Sequence, residues 1–298
     1  MNVITANQVE SLCISPLECV AFVEEAFRNK PSAIVPPKIS IHQDRDLYFN
    51  TMPCLLPKLG RMAVKVVSRN PKSNPALRSV VVLFDASTGE LLAVVDGDWI
   101  TAMRTGAVAA LAAKVFAEDF NTARYAFVGL GAMARAVFKC LHAISPSPLR
   151  IWLLKYKDQA ERFVEEFEGK AEFHIVENKE ELITDSNVLF SCVTKLDEPF
   201  VPVSVYPKGY LCIPVHTRGF QNCDLEFDRV FGDDAGHMRD WQNFSHFKEF
   251  AEFSDVLLGK AEGRRTHSER ILSYNYGLGL HDLWFASKIY DMIQRGGK

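Results

Sequence analysis

The stretch Tyr125-Ala126-Phe127-Val128-Gly129-Leu130-Gly131-Ala132-Met133-Ala134 decides how this chain is read. An apolar run of strand character meets two glycines one residue apart and passes into a helical pattern that continues to about Ala143. In that context each position has a physical task. Gly129 permits the tight turn and Gly131 lets the backbone approach a pyrophosphate. Ala132 and Met133 open the helix whose N-terminus faces phosphates, and Ala134 lets helix and strand close on each other. A plain strand-to-helix turn uses the same glycines, so the surrounding pattern has to discriminate.

Downstream, strand and helix signals alternate: strand Leu149 to Leu154, helix Asp158 to Phe167, strand near Phe173 to Val176, helix Lys179 to Ile183 and strand Asn187 to Cys192. Further runs at Tyr210 to Val215 and Arg229 to Phe231 extend the series. Such alternation specifies a doubly wound parallel sheet of Rossmann type, here over residues 121–269, binding NAD or NADP. Cys192, Val193 and Thr194, at the end of a strand, are expected to line the dinucleotide. A site preferring NAD usually ends its second strand with an acid. Here Leu154, Lys155, Tyr156 and Lys157 stand instead, which leans toward NADP if Lys155 meets a 2′-phosphate, and means solvated lysines otherwise.

Upstream the signals differ. Ser15, Pro16 and Glu18 form a helix start, and the helix should end near Asn29-Lys30-Pro31. Strand-like runs follow at Ile34 to Ile41, Leu47 to Met52, Met62 to Ser68, Ser79 to Phe84 and Leu91 to Val95, without helices between them, so an antiparallel-rich sheet is expected. A helix rich in small residues, Thr101 to Ala113, is suited to close contact with a neighbour. The predicted organisation is an α+β domain, residues 1–120 joined by a last helix within 270–298, beside the α/β Rossmann-type domain.

Composition narrows the function. The 298 residues suffice for two cores, and a net charge of -3 gives no footprint for nucleic acid or an anionic membrane. No run approaches a membrane span and no secretory leader is apparent, so a cytoplasmic protein is expected. Seven scattered cysteines read as free thiols. Asp233-Asp234-Ala235-Gly236-His237 reads as a polar turn, with no metal site expected, and the aromatic run Trp241 to Phe253 as helical core and lid packing.

Two cations stand in apolar surroundings. Lys65 shares a strand face with Ala63 and Val67, so it either has a buried partner or sits on an edge strand facing water. Arg104 interrupts a helix of small residues, and a guanidinium near Lys65 makes a carboxylate clamp.

Lys65 in M-A-V-K-V-V, L-F-D-A-S-T-G from Leu83 to Gly89, D-G-D-W-I-T-A-M-R-T-G-A from Asp96 to Ala107, the glycine turn and Y-N-Y-G-L-G-L-H-D from Tyr274 to Asp282 together resemble the ornithine cyclodeaminase/mu-crystallin family. The resemblance implies a substrate domain that dimerises through its sheet, a Rossmann domain, and an active site in the cleft between them. It places the substrate carboxylate on Lys38, Lys65 and Arg104. It aligns Arg218 with the aspartate that acts on the substrate amine in cyclodeaminases, or, with the register moved, leaves Asp224 as the acid. A missing general base typically costs about 10²- to 10⁴-fold in rate, so Arg218 speaks against efficient ornithine cyclisation and for a second anionic group on the substrate. His216 is then a proton shuttle or a hydrogen-bonded surface histidine, and Asp282 contacts the nicotinamide side or caps the last helix. The implied activity is NAD(P)-dependent oxidation or reduction at the C–N carbon of an α-amino or α-imino acid. Ornithine cyclodeamination and a non-catalytic dinucleotide-binding protein are the alternatives.

Overall fold

A computed structural model describes residues 2–44, 46–194, 196–216 and 220–296. The chain runs β1 (Asn2–Ile4), α1 (Ala6–Ser11), α2 (Pro16–Asn29), β2 (Ile39–His42), β3 (Tyr48–Leu56), β4 (Arg61–Arg69), β5 (Leu77–Asp85), β6 (Leu91–Asp96) and α3 (Asp98–Phe116). It continues through β7 (Arg124–Val128), α4 (Ala132–Ile144), β8 (Leu149–Leu154), α5 (Gln159–Glu166), β9 (Ala171–Val176), α6 (Lys179–Thr184), β10 (Val188–Ser191) and β11 (Leu211–Pro214). It closes with β12 (Arg229–Gly232), α7 (Ala235–Met238), β13 (Phe250–Glu252), α8 (Phe253–Leu257), β14 (Ile271–Tyr274) and α9 (Gly279–Gly296). Two compact units result, Met1–Arg104 with Gly277–Lys298, and Thr105–Tyr276.

The first unit is built on a six-stranded sheet of order β1-β6-β5-β4-β3-β2, antiparallel except where β1 joins β6. Period-two alternation turns Ala63, Lys65 and Val67 of the central strand β4 inward, and α9 covers that face at β3 and β4. Strand β4 is not an edge, so a solvent-facing Lys65 is excluded. The expected strand Ile34 to Ile41 is shorter: only Ile39–His42 pairs as β2, while Ile34 makes an isolated bridge to Leu55, because Pro36 and Pro37 remove ladder donors. Helix α2 starts as its sequence directs, with a reciprocal Ser15–Glu18 capping box and Pro16 in the first turn.

The second unit holds eight parallel strands in the order β13-β12-β14-β11-β10-β7-β8-β9. Its sheet core is apolar from strand to strand, as a sheet buried on both faces requires. Gly106 of α3 lies so close to Ala136 of α4 that a Cβ would overlap the facing backbone, which explains the small residues of α3. Residues 241–252 form no α-helix. Most of that run forms 3₁₀ and irregular turns, and Phe250–Glu252 pairs with β12 as an edge strand, its aromatic residues Phe244, Phe247 and Phe250 clustering. Strand β14, four residues buried throughout and without alternation, inserts between β11 and β12. Among the described residues no helix is long and apolar enough to cross a membrane.

Candidate functional site

In the first unit the two cations singled out in the sequence meet on one carboxylate. Lys65 Nζ donates to Asp282 Oδ1 at 2.9 Å, and both side chains are sealed from solvent. Arg104 Nε lies 3.3 Å from the same oxygen, an ion pair without the alignment of a hydrogen bond. Asp282 Oδ2 is buried with no hydrogen-bond partner among the described residues. The register delivers this arrangement: Lys65 stands opposite Met52 on one side and Val81 on the other, beneath the first turns of α9. Burial and the adjacent Arg104 depress the Lys65 ammonium to about 7, against the pull of Asp282, and Lys38 is close enough to depress it further. Lys65 and Arg104 therefore share one carboxylate, and Lys38 lies close enough to Lys65 to act on its charge. Cations exceed anions there, which suits a substrate carboxylate.

Asp282 does not cap the helix, for it lies within the first turn of α9 and its side chain turns to Lys65. Its neighbour His281 faces α2, with its ring 4.4 Å from that of Phe27. Burial and the cations Arg104, Lys65 and Lys30 hold the His281 ring well below its usual value, so it is neutral.

In the second unit the glycine turn joins β7 to α4. Gly129 has a left-handed φ of 79°, and a Cβ there would lie 2.7 Å from the Val193 nitrogen and 2.8 Å from the Cys192 carbonyl carbon. The turn thus rests on the residues that follow β10. Gly131 is the N-cap of α4, and a Cβ built on it meets no protein atom within 4 Å, so this backbone is open to an approaching group. Ala132 is exposed, Met133 half-buried and Ala134 buried against the sheet. Burial pushes the Cys192 thiol up, so it is no nucleophile, and Thr194 is exposed. The open backbone of Gly131 at a helix N-terminus, at the carboxyl end of a parallel strand, fits a dinucleotide pyrophosphate.

His216 follows β11, and its Nε2 lies 2.8 Å from Oγ of Ser191, the last residue of β10. Lys155, exposed at the end of β8, donates to Glu177 Oε1 at 2.9 Å and lies 3.9 Å from Glu161. Arg218 lies outside the described residues. Asp224 is committed elsewhere: it accepts from Tyr274 Oη at 2.9 Å and Asn243 Nδ2 at 2.6 Å in the core. Asp234 caps α7 and holds the His237 ring at 3.0 Å, while Asp233 accepts from Asn275.

The profile of the ornithine cyclodeaminase/mu-crystallin family matches residues 1–297. The chain belongs to that family. Mouse (Mus musculus) ketimine reductase mu-crystallin is 31% identical over 232 residues, 74% of this chain and 72% of the relative. Among solved structures, Thermococcus litoralis Δ1-pyrroline-2-carboxylate reductase, in complex with NADH and L-proline, has a TM-score of 0.86 and 24% identity, covering 100% of this chain and 98% of the other. An archaeal alanine dehydrogenase dimer with bound NAD has a TM-score of 0.84 and 24% identity, covering 100% and 97%. These two likenesses concern the fold.

Three features within the two units went beyond the sequence reading. Asp282 was expected at the nicotinamide side or as a helix cap and not as the partner of Lys65, although a lysine inside a central strand calls for a buried carboxylate. Gly277, with φ 82°, gives the Arg104 guanidinium its room. Ser191 looked like any polar strand end.

Proposed function

We propose that the protein is an NAD(P)-dependent oxidoreductase acting on the nitrogen-bearing carbon of an α-amino or α-imino acid, as an imine reductase or amino-acid dehydrogenase. The observation that carries this reading is the meeting of Lys65 and Arg104 on the buried carboxylate of Asp282, with Lys38 close enough to Lys65 to act on its charge. A protein that only held a dinucleotide has no use for a buried cationic cluster in its other unit. The relatives support the same class, being a ketimine reductase, a pyrroline-2-carboxylate reductase holding L-proline and an alanine dehydrogenase.

Lys65, Arg104 and Lys38 hold the substrate carboxylate, so its α-carbon is fixed relative to that anchor. Gly129, Gly131 and the start of α4 take the pyrophosphate, with Cys192, Val193 and Thr194 beside it. The nicotinamide, when bound, supplies or accepts the hydride. His216, steadied by Ser191, is the candidate for moving the proton that the nitrogen gains or loses, and Arg218 for a second anionic group on the substrate.

The Lys155–Glu177 pair favours NAD over NADP, because a 2′-phosphate has to displace a carboxylate while a ribose diol can donate to it. We place the protein in the cytoplasm as a homodimer. Val64, Val66, Val80, Val82 and Val94 line the other face of the six-stranded sheet half-exposed, a surface suited to a second copy.

The test is oxidation of NADH and NADPH against cyclic imino acids and 2-oxo acids with amines, with Arg104→Leu beside the wild type. Turnover lost in the variant with NADH affinity kept supports the reading. Proline formed from ornithine without net cofactor change would instead identify a cyclodeaminase.

A further inference from the structure

Helix α9 brings two features to Arg104 and Lys65 that carboxylate binding alone does not require. Asp282 places one oxygen on both cations, and Gly277, just before the helix, leaves the guanidinium the space a Cβ would fill. Arg104 thus meets Asp282 at Nε, while its Nη1 occupies the space that a Cβ on residue 277 would need.

We propose that Asp282 is a positioning residue, whose Oδ1 holds Lys65 Nζ and Arg104 Nε side by side so that the pair presents one preformed site to the substrate carboxylate. The inference rests on the oxidoreductase reading and specifies how its substrate anchor is built. Two arguments support it.

The first is energetic. A buried ion pair seldom stabilises a fold more than well-packed apolar side chains do, because the desolvation of both charges offsets their attraction. Retaining a fully buried lysine and aspartate is therefore better explained by what they arrange than by stability.

The second is electrostatic. Lys65 and Arg104 are like charges sharing a buried space, and Arg104 itself depresses Lys65. The ionisable groups around Lys65 are Arg104 on α3, Lys38 ahead of β2, His281 and Asp282 on α9, and Cys54 on β3 near Asp282. Of these, His281 is neutral and burial pushes the Cys54 thiol up to about 12, so among the described residues around Lys65 Asp282 is the one anion. Without it, burial and the neighbouring cations, which all favour the neutral amine, act on Lys65 unopposed by Asp282.

The experiment follows Lys65 directly. Full-length protein carrying ¹³Cε-lysine is titrated by NMR, with the Lys65 resonance assigned by its loss in Lys65→Met. Wild type, Asp282→Asn and Asp282→Glu are compared, and L-proline and NADH binding are measured on the same samples. Asp282→Asn is expected to lower the Lys65 midpoint by about one pH unit or more and to weaken L-proline at least about tenfold, with NADH binding unchanged. Asp282→Glu is expected to keep the midpoint near wild type while binding L-proline less well, since it restores the charge but not the geometry. An unmoved Lys65 midpoint in Asp282→Asn overturns the inference. If that variant does not fold, Asp282→Glu decides, and wild-type L-proline affinity in it overturns the positioning role. Failure of the functional reading looks different: the wild type itself then oxidises no reduced cofactor with any imino or oxo acid, whatever Lys65 does.

Discussion

Gly277 stands where any side chain would overlap the Arg104 guanidinium, and its φ of 82° lies in the left-handed region that favours glycine. The two residues are one device: the glycine makes the turn into α9 and vacates the seat of the arginine. Gly277→Ala is expected to push the guanidinium off its site. Losing charge-assisted hydrogen bonds to the substrate raises KM about 10- to 100-fold. NADH affinity, read by fluorescence titration, stays at the wild-type value. A lower melting temperature with unchanged KM would show that the glycine serves the turn alone.

Lys65 sets a pH dependence. Its ammonium sits at about 7 in the folded protein, lowered by burial and then by Arg104. Carboxylate binding requires the protonated form, so kcat/KM is expected to fall as pH rises through about 7, approaching tenfold per unit. Folding responds in the opposite sense. From about 7 up to the ordinary lysine value, the unfolded chain holds a proton that the folded chain lacks, so this group's contribution to stability rises with pH across that window. Urea melts of wild type and Lys65→Met at several pH values check the sign: the wild type should gain relative to the variant between pH 7 and 9. A difference independent of pH would mean that Lys65 keeps its proton throughout.

How much of this was legible depended on whether a signal was local. The β7 turn was, because two glycines, an apolar strand and a helix start lie within one decapeptide and each constrains the backbone on its own. The inward face of Lys65 was also legible, since period two fixes it once Ala63 and Val67 are apolar. The partner of Lys65 was not. Asp282 is 217 residues away along the chain, and nothing in its own turn of helix distinguishes a buried counter-ion from a cap. Strands β13 and β14 were missed for another reason, since runs of three or four residues are too short to show a period, and their placement is set by the strands already present.

On the proposed reading, Glu177 is expected to influence the choice between NAD and NADP. Its carboxylate neutralises Lys155 at the end of β8, where a 2′-phosphate would otherwise find a cation. Both side chains are exposed, so the pair is weak and the effect is modest. Glu177→Gln is expected to improve NADPH binding relative to NADH by about five- to tenfold, measured as the ratio of the two dissociation constants. Lys155→Ala should move the ratio the other way or leave NADH unaffected. A ratio that ignores both substitutions would place the ribose elsewhere.

The two glycines of the β7 turn separate a binding loop from a merely tight turn. Gly129 is internally constrained: its φ is 79°, and a Cβ would press on Cys192 and Val193 at 2.7 to 2.8 Å. Gly129→Ala should therefore lower stability whatever the turn is for, by about 1–3 kcal/mol for a side chain forced into such a backbone. Gly131 is constrained by nothing in the protein. Its φ of -88° and ψ of -161° are open to any residue, and a Cβ meets no atom within 4 Å. Gly131→Val should melt with the wild type while losing NADH affinity by about 100-fold or more, because its side chain occupies the space through which a pyrophosphate reaches the first turn of α4. Circular-dichroism melts and NADH titrations on both variants give the answer. If Gly131→Val binds NADH normally, the phosphates do not cross this backbone and the turn is structural, whereas normal melting with lost binding assigns the second glycine to the ligand.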